Sequence, residues 1–442
     1  MALNKAAVLK KLQFLKPGDT CWVAFSGGVD STVLLHLLCQ LRNQLSIVVK
    51  AVHVDHGLQP ESAHWTEHCR QFAEELGVNF ISRRLSLDTS GPESVEALAR
   101  KHRYAVFGEL VGKGEYVFLG HHQHDQAETL MLQMLRGAGV AGLAGMPVIG
   151  ITYSVPIVRP MLDIKQQDIY HYAEENRLSW VEDASNENPD FDRNYLRHHV
   201  MPQLARWPAF TDTFSRTAAN CAESDQLLRE LAEIDVKKTV SEKPFVLSIE
   251  RLSELSLIRQ KNLLRYWIKQ HAAEVIDSKK LSILQSGVIS ADAQAVPVLR
   301  LTKIQLRRYR DQLWLLPVQM PDSMNEITLF WEGEICELPH GLGCLKRLRG
   351  KNGIHPELWQ SRVEVRWRQP NAKCQPVGRK GSRSIKKLAQ DRGIPPWVRE
   401  LMPLIYINGE LAAVADYCIA DAVSSSEADS WVIEWHPSLE IR

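Results

Sequence analysis

The sequence predicts an α/β domain built on a parallel sheet, followed by a helical domain and a small α+β domain. Three observations carry this. Residues 20–135 alternate short apolar runs with longer segments of helical period. Residues 210–290 place apolar side chains at three- and four-residue spacing. Residues 330–442 return to short strand-like runs around one basic helix.

The elements follow in order. The opening "MALNKAAVLKKLQFLKPGD" reads as an amphipathic helix, too polar for a secretion signal. "CWVAF" is a buried strand and "STVLLHLLCQL" a helix. "SIVVKAVHVDH" is a strand, and "ESAHWTEHCRQFAEELG" a helix closed by Gly77. "VNFISRRLSL" is a strand, and "GPESVEALARKHRYAVFGELV" a helix with Pro92 near its first turn. "YVFLGHH" is a strand, and "DQAETLMLQMLRG" a helix stopped by Gly137. Strands alternating with helices give a parallel sheet covered on both faces, with ligands at the carboxyl ends of strands. "SGGVDS", "HVDHG" and "GHHQHDQAE" all fall at such ends. Residues 151–200 continue this domain to the polar loop "EDASNENPDFDRN". The expected domains are 1–210, 211–320 and 330–442, with "MPDSMNE" as a linker. In the last of them "PLIYINGELAAVAD" is a hairpin turning at Asn408-Gly409, and "SRSIKKLAQDRG" is a helix closed by Gly393.

Composition narrows the class. A chain of 442 residues, 45% hydrophobic and 24% charged, has room for several packed domains. No apolar run approaches the ~20 residues of a membrane span. The eight cysteines form no C-x-x-C pair, which argues against zinc-ribbon, iron–sulfur and thioredoxin chemistry and for a reduced, cytoplasmic setting. The net charge of +1 hides an asymmetry. Gly341 to Glu400 holds 15 Lys/Arg against 4 Asp/Glu. A basic end on an acidic body points to a polyanion or to a solvated basic face.

In "SGGVDS" a strand feeds a turn that opens a helix. Gly27 and Gly28 permit positive φ and close approach of a ligand. The first N–H groups of the helix lack intrahelical partners and make an anion site. Ser26 and Ser31 add hydroxyls, with Val29 and Asp30 between the glycines and Ser31. The spacing is neither a Walker A loop nor G-x-G-x-x-G.

"SGGVDS" is the fingerprint of the N-type ATP pyrophosphatases, and the first domain resembles that family, with its adenine nucleotide α-hydrolase-like fold. The resemblance implies cleavage of ATP to AMP and pyrophosphate while a substrate is adenylated. "GHHQHDQAETLMLQMLRGAGVAGLAGM", "VHVDHGL", "ARKHRYAVF", "VRPML", "EDASNENPDFDRNYLR" and "VGRKGSRSIKKLAQDRGIPPWVRELMPLIYINGELAAVA" together resemble the long form of the tRNA(Ile)-lysidine synthase family. That family joins free lysine to the wobble cytidine of an isoleucine tRNA with a CAU anticodon. The implied partners are this tRNA, L-lysine, ATP and Mg²⁺, with no membrane and no stable protein partner.

The resemblance also implies roles. The turn Ser26, Gly27, Gly28, Val29, Asp30 and Ser31 holds the phosphates, with His53 near adenine, beside Asp55 and His56. A carboxylate among phosphates needs a cation between them, so Asp30 is the Mg²⁺ candidate. Asp125 and Glu128 share a helix face and are assigned to lysine, one of them as general base. Arg100 and Arg103 match an Arg-x-x-Arg-Tyr element, and Arg103 is the catalytic candidate. Arg136, Arg193, Arg197, Arg379, Lys380, Arg383, Lys386 and Lys387 are the tRNA candidates, with Trp397 near the last five. Asn186, Asp192, Arg193, Asn194 and Arg197 match the family pattern and are expected to close the catalytic site, with a structural loop network as the alternative. His124 stands where the family has the first acid of Asp-Asp-Gln.

Three rivals remain. A tRNA thiolase needs catalytic or cluster cysteines. A non-catalytic RNA-binding protein leaves the intact turn and acids unexplained. A metallohydrolase on His121, His122 and His124 fails on the spacing of its second acid and last histidine.

Overall fold

The computed structural model describes residue 3 and residues 5–57, 62–85, 95–182, 192–292, 295–319, 327–367 and 372–437. Pro92, Asn186 and the "MPDSMNE" linker lie outside the described residues. The chain forms two compact units, Met1–Leu227 and Leu228–Arg442.

The first unit runs α1 (Lys5–Lys11), β1 (Thr20–Ala24), α2 (Val29–Leu45), β2 (Val48–Asp55), α3 (Ser62–Glu75), β3 (Asn79–Arg84), α4 (Val95–Leu110), β4 (Tyr116–Phe118), α5 (Gln123–Leu135), α6 (Val140–Leu143), β5 (Ile149–Thr152), β6 (Val155–Val158), α7 (Gln166–Glu175) and α8 (Asp192–Tyr195). The strand order is β3-β2-β1-β4-β6-β5. The β3-β2-β1-β4-β6 pairs are all parallel. Strand alternation explains the layers. Cys21 and Val23 of β1 point into one core with Val33, Leu34 and Leu37 of α2. Trp22 points into the other with Val52, Val117, Ile157, Tyr104 and Phe107. A strand buried on both faces reads as the continuous apolar run seen in the sequence.

The chain goes outward from β1 through β2 to β3, then returns to the other side of β1 as β4. The loops after β1 and β4 therefore flank a topological switch point, where doubly wound sheets hold ligands. One element departs from the parallel expectation. β5 pairs antiparallel with β6 at the edge. Its turn puts Tyr153 and Ser154 at φ 50° and 66°. No Gly or Asn marks it, so turn chemistry in the sequence was silent.

The second unit takes the part of α9 (Phe210–Thr239) from Leu228 onward, then β7 (Val246–Ser248), α10 (Ile249–Ser253), α11 (Leu257–Ala272), α12 (Ser278–Ile283), β8 (Val298–Arg300), β9 (Ile304–Tyr309) and β10 (Gln312–Pro317). Two five-stranded sheets and helices α13 (Ile385–Asp391) and α14 (Pro396–Arg399) follow. The expected hairpin is present, with Leu404–Ile407 paired to Glu410–Val414 and positive φ at Asn408 and Gly409. One apolar core joins residues of both halves of this unit, from Phe245 to Trp435. Trp397 is part of it, edge-on to Trp314 at 5.7 Å and to Tyr309 at 6.2 Å. It is 4% exposed, so the tryptophan expected beside the basic cluster serves packing. Arg379, Lys380, Arg383, Lys386 and Lys387 are all exposed. No helix among the described residues is long and apolar enough to cross a membrane.

Candidate functional site

The turn after β1 opens on Gly27 at φ +91°. A Cβ there would meet Val181 Cγ2 at 2.8 Å and Cys69 Sγ at 2.9 Å. Its carbonyl accepts from the Val181 N–H at 3.0 Å. Gly28 is the N-cap of α2 and offers no side-chain cap, so the helix presents open N–H groups. Ser31 Oγ donates to the Gly28 carbonyl at 3.0 Å and lies 3.1 Å from Ser26 Oγ. The result is a hydroxyl-rimmed turn of backbone N–H groups at the start of a 17-residue helix, suited to phosphate.

The loop after β4 meets this turn. A Cβ on Gly120 would lie 3.0 Å from the Asp30 carbonyl carbon and oxygen and 3.1 Å from the Ser31 nitrogen. All three are backbone atoms of the first turn of α2, so they yield little. Gly120→Ala is expected to displace the turn. We expect at least a tenfold loss in kcat/KM for ATP and ~1–3 kcal/mol of stability, read by steady-state kinetics and thermal melting.

α5 begins with a reciprocal cap. The His124 N–H donates to His122 Nδ1 at 3.2 Å, and the His122 N–H donates to Asp125 Oδ2 at 2.9 Å. Accepting at Nδ1 leaves the His122 proton on Nε2. That nitrogen lies 3.6 Å from both Asp30 Oδ1 and Asp125 Oδ2. His122 thus stands between the carboxylate of one loop and that of the other.

The two acids differ electrostatically. Burial pushes Asp30 up to about 6, against the pull of His122 and with the push of Asp125. Its Oδ1 is sealed from solvent with no hydrogen-bond partner. At Asp125 burial acts upward too, but His122, His121, Arg193 and the His122 N–H outweigh it and hold the carboxyl well below its usual range. Glu128 is completely buried. Arg193 Nε donates to its Oε2 at 2.7 Å, and Arg197 Nε to its Oε1 at 2.7 Å. Arg197 Nη2 also reaches Asp125 Oδ1 at 3.4 Å.

The structure therefore brings together the Ser26–Ser31 turn, Asp30, Asp125, Glu128, Arg193 and Arg197. Arg193 and Arg197, tRNA candidates in the sequence, pair with buried carboxylates of their own unit. His53 is buried, with Nδ1 2.9 Å from the Phe25 carbonyl, and burial pushes its pKa down. It braces the turn from β2. Arg100 and Arg103 lie 5.2 and 5.9 Å from the Tyr104 ring on α4. Arg136 is exposed at the C-cap of α5, roughly 16 Å along the helix from Asp125.

Sequence reasoning missed Arg159, 3% exposed. Its Nε donates to His121 Nδ1 at 3.1 Å and its Nη1 to the Pro147 carbonyl at 3.0 Å. Burial pushes His121 down to about 3, with Arg193, Arg159 and Arg103 adding to it. The "VRPML" match held the only signal, a charge amid apolar residues. Gln126 was likewise passed over. It exchanges two hydrogen bonds with the backbone of Met146 and fixes the glycine-rich loop against α5.

Three family models match the chain: a PP-loop domain over residues 2–204, a TilS substrate binding domain over 247–314 and a TilS substrate C-terminal domain over 363–435. A tRNA(Ile)-lysidine synthase of Coxiella burnetii is 38% identical over 433 residues, covering 97% of this chain and 96% of its own. That of Methylococcus capsulatus is 38% identical over 430 residues, covering 96% and 98%. Among solved structures, a U34-tRNA thiolase from Methanococcus maripaludis has a TM-score of 0.44 at 19% identity, covering 50% of this chain and 77% of that one.

Proposed function

This chain belongs to the tRNA(Ile)-lysidine synthase family, and from that premise we infer how its site works. The enzyme is a ligase that uses ATP to join lysine to C2 of the wobble cytidine of tRNA(Ile) with a CAU anticodon. The cytidine is adenylated first, AMP and pyrophosphate leave, and decoding changes from the methionine to the isoleucine type. The observation that carries the assignment of residues is the meeting of two loops at His122, 3.6 Å from each of Asp30 and Asp125.

The Ser26–Ser31 turn holds the departing pyrophosphate through its N–H groups and hydroxyls, where negative charge grows in the transition state. Asp30, with a buried and unpartnered Oδ1, fits a hard cation that keeps most of its other ligands from phosphate and water. Bound Mg²⁺ supplies neutralisation of phosphate charge there. Asp125 stays ionised and faces the lysine ammonium. Glu128 is engaged by two guanidiniums, so its part is to aim Arg193 and Arg197 toward the reacting phosphate. His53 and Arg103 line the adenine and phosphate side.

Residues 211–320 and 330–442 hold tRNA away from the reacting base, and Arg136 is an exposed cation for the same RNA. Arg379 and Arg383 already approach Asp391, at 3.8 and 2.9 Å. Lys380, Lys386 and Lys387 are thus the better phosphate contacts. Changing these three to alanine is expected to raise KM for tRNA, leave kcat intact and lower the slope of log affinity against log salt by about 2. An unchanged slope removes them from the interface.

The test of the function is purified protein with ATP, Mg²⁺, labelled lysine and tRNA. Label entering tRNA only with ATP is the expected result. No label with any tRNA overturns the reading.

A further inference from the structure

Two cysteines with no part in the catalytic site meet in the core of the second unit. Cys374 and Cys418 are 44 residues apart in the chain, and their sulfurs lie 3.9 Å apart. No C-x-x-C spacing announces them. Cys374 ends the short strand Lys373–Cys374, and Cys418 opens the short strand Cys418–Ile419. Two backbone hydrogen bonds hold the segments side by side. The Val377 N–H donates to the Ile419 carbonyl at 3.3 Å, and the Asp421 N–H to the Gln375 carbonyl at 2.9 Å.

The two thiols are not equivalent. Cys418 is 9% exposed and Cys374 3%. The Cys374 thiol beside it holds Cys418 below its usual pKa, and the charge of Arg392 adds to this against burial. The same contact, with burial, pushes Cys374 up. Cys418 is the sulfur that ionises, and Cys374 stands by as the thiol that resolves it. Arg392 and Tyr417, the neighbour of Cys418 in the chain, line a cavity of about 700 Å³. A small oxidant in that cavity is within one residue of Cys418.

We propose that Cys374 and Cys418 form a reversible disulfide when the protein meets a hydroperoxide, and that this bond weakens the grip of the second unit on tRNA. The Cys418 thiolate attacks one peroxide oxygen, the O–O bond breaks, and the other oxygen takes a proton and leaves as water. The Cys374 sulfur then attacks the sulfenic sulfur of Cys418, and its proton leaves with the hydroxyl as a second water. The two sulfurs give up two electrons and the peroxide accepts them. Bonding draws the sulfurs together by roughly 2 Å. Cys374 pairs across the strands with Arg383, and Lys373 with Ser384. Ser384 caps α13, its Oγ accepting from the Lys387 N–H at 3.3 Å. A shift at Cys374 therefore passes to Arg383 and to the first turn of α13, which carries Lys386 and Lys387. The loss of binding rests on tRNA being the substrate, whereas the bond itself does not.

The test treats the full-length protein with hydrogen peroxide, blocks the remaining thiols and maps its peptides by mass spectrometry. A linked peptide joining Cys374 to Cys418, lost on adding dithiothreitol, is the expected result. Affinity for tRNA(Ile), measured without ATP or lysine, is expected to fall roughly tenfold on oxidation, as when one or two phosphate contacts are lost, and to return with dithiothreitol. Cys374→Ser is expected to stop at a sulfenic acid on Cys418, trapped by dimedone, and to keep its affinity under peroxide. The wild-type comparison with and without dithiothreitol needs no variant, so it stands even if Cys374→Ser does not fold. Absence of the linked peptide overturns the proposal. So does a linked peptide with unchanged affinity, or an equal loss of affinity in folded Cys374→Ser, which assigns the effect to other oxidised residues. The peptide map involves neither RNA nor lysine, so its failure is distinct from a failure of lysine transfer.

Discussion

Replacing Asp30 by asparagine is expected to abolish lysine transfer and, at the same time, to raise the melting temperature of the ligand-free protein. The two effects have one origin. The Asp30 carboxyl is pushed from 3.8 to about 6 chiefly by burial, so its charged form is held against a cost that only a bound cation and phosphates offset. The sign follows from linkage. A carboxyl whose folded pKa is raised contributes most stability below its unfolded pKa and loses it as pH rises through the folded value. The difference in melting temperature between wild type and Asp30→Asn is therefore small near pH 4, opens between pH 4 and 6 and is constant above. Asp30 is partly exposed, so solvent screens the effect, and a gain of about 2–4 °C is expected above pH 6. Activity falls at least a thousandfold at every pH, because an amide does not bring negative charge to a cation between itself and pyrophosphate. Pyrophosphate release measures the second effect and calorimetry the first. Full activity in Asp30→Asn removes this residue from the mechanism.

Glu128→Ala is expected to have the opposite signature, with both stability and activity lost. Glu128 is wholly buried and receives Arg193 and Arg197 at 2.7 Å each. Removing it leaves two guanidiniums, 26% and 35% exposed, with only their longer contacts to Asp125, at 3.6 and 3.4 Å. Breaking one buried pair in this way costs ~3–5 kcal/mol, or about 10 °C in a unit of this size. Lysine transfer disappears because the arginines no longer point at the reacting phosphate. Glu128→Ala combined with Arg193→Leu is expected to recover part of the stability and none of the activity. A melting temperature unchanged in Glu128→Ala contradicts the ion-pair account.

These pairs mark the limit of what the sequence makes legible. Periodicity revealed most strands and helices of the first unit, because its central strands β1, β2 and β4 are largely buried and helices such as α3 and α5 are followed by a glycine. The Ser26–Ser31 turn was legible because its chemistry is local, within six residues. The partners of Glu128 lie 65 and 69 residues away. No spacing rule connects them, and arginines in a polar loop look equally ready for RNA. Gly120 is similar. Its need to lack a side chain comes from a turn 90 residues earlier in the chain. In the second unit, Trp397 was grouped with the basic cluster because it follows a basic run. Its burial depends on Trp314 and Tyr309, which belong to the preceding half of that unit.

The central claim is that the Ser26–Ser31 turn activates the RNA base and not the amino acid. It is tested most directly with ATP labelled in its α-phosphate and tRNA(Ile), with lysine left out. The account predicts that labelled AMP accumulates on the wobble cytidine of the RNA, and that adding lysine then releases it. ATP cleavage that needs lysine and proceeds without RNA would contradict it, since the adenylated substrate would then be lysine.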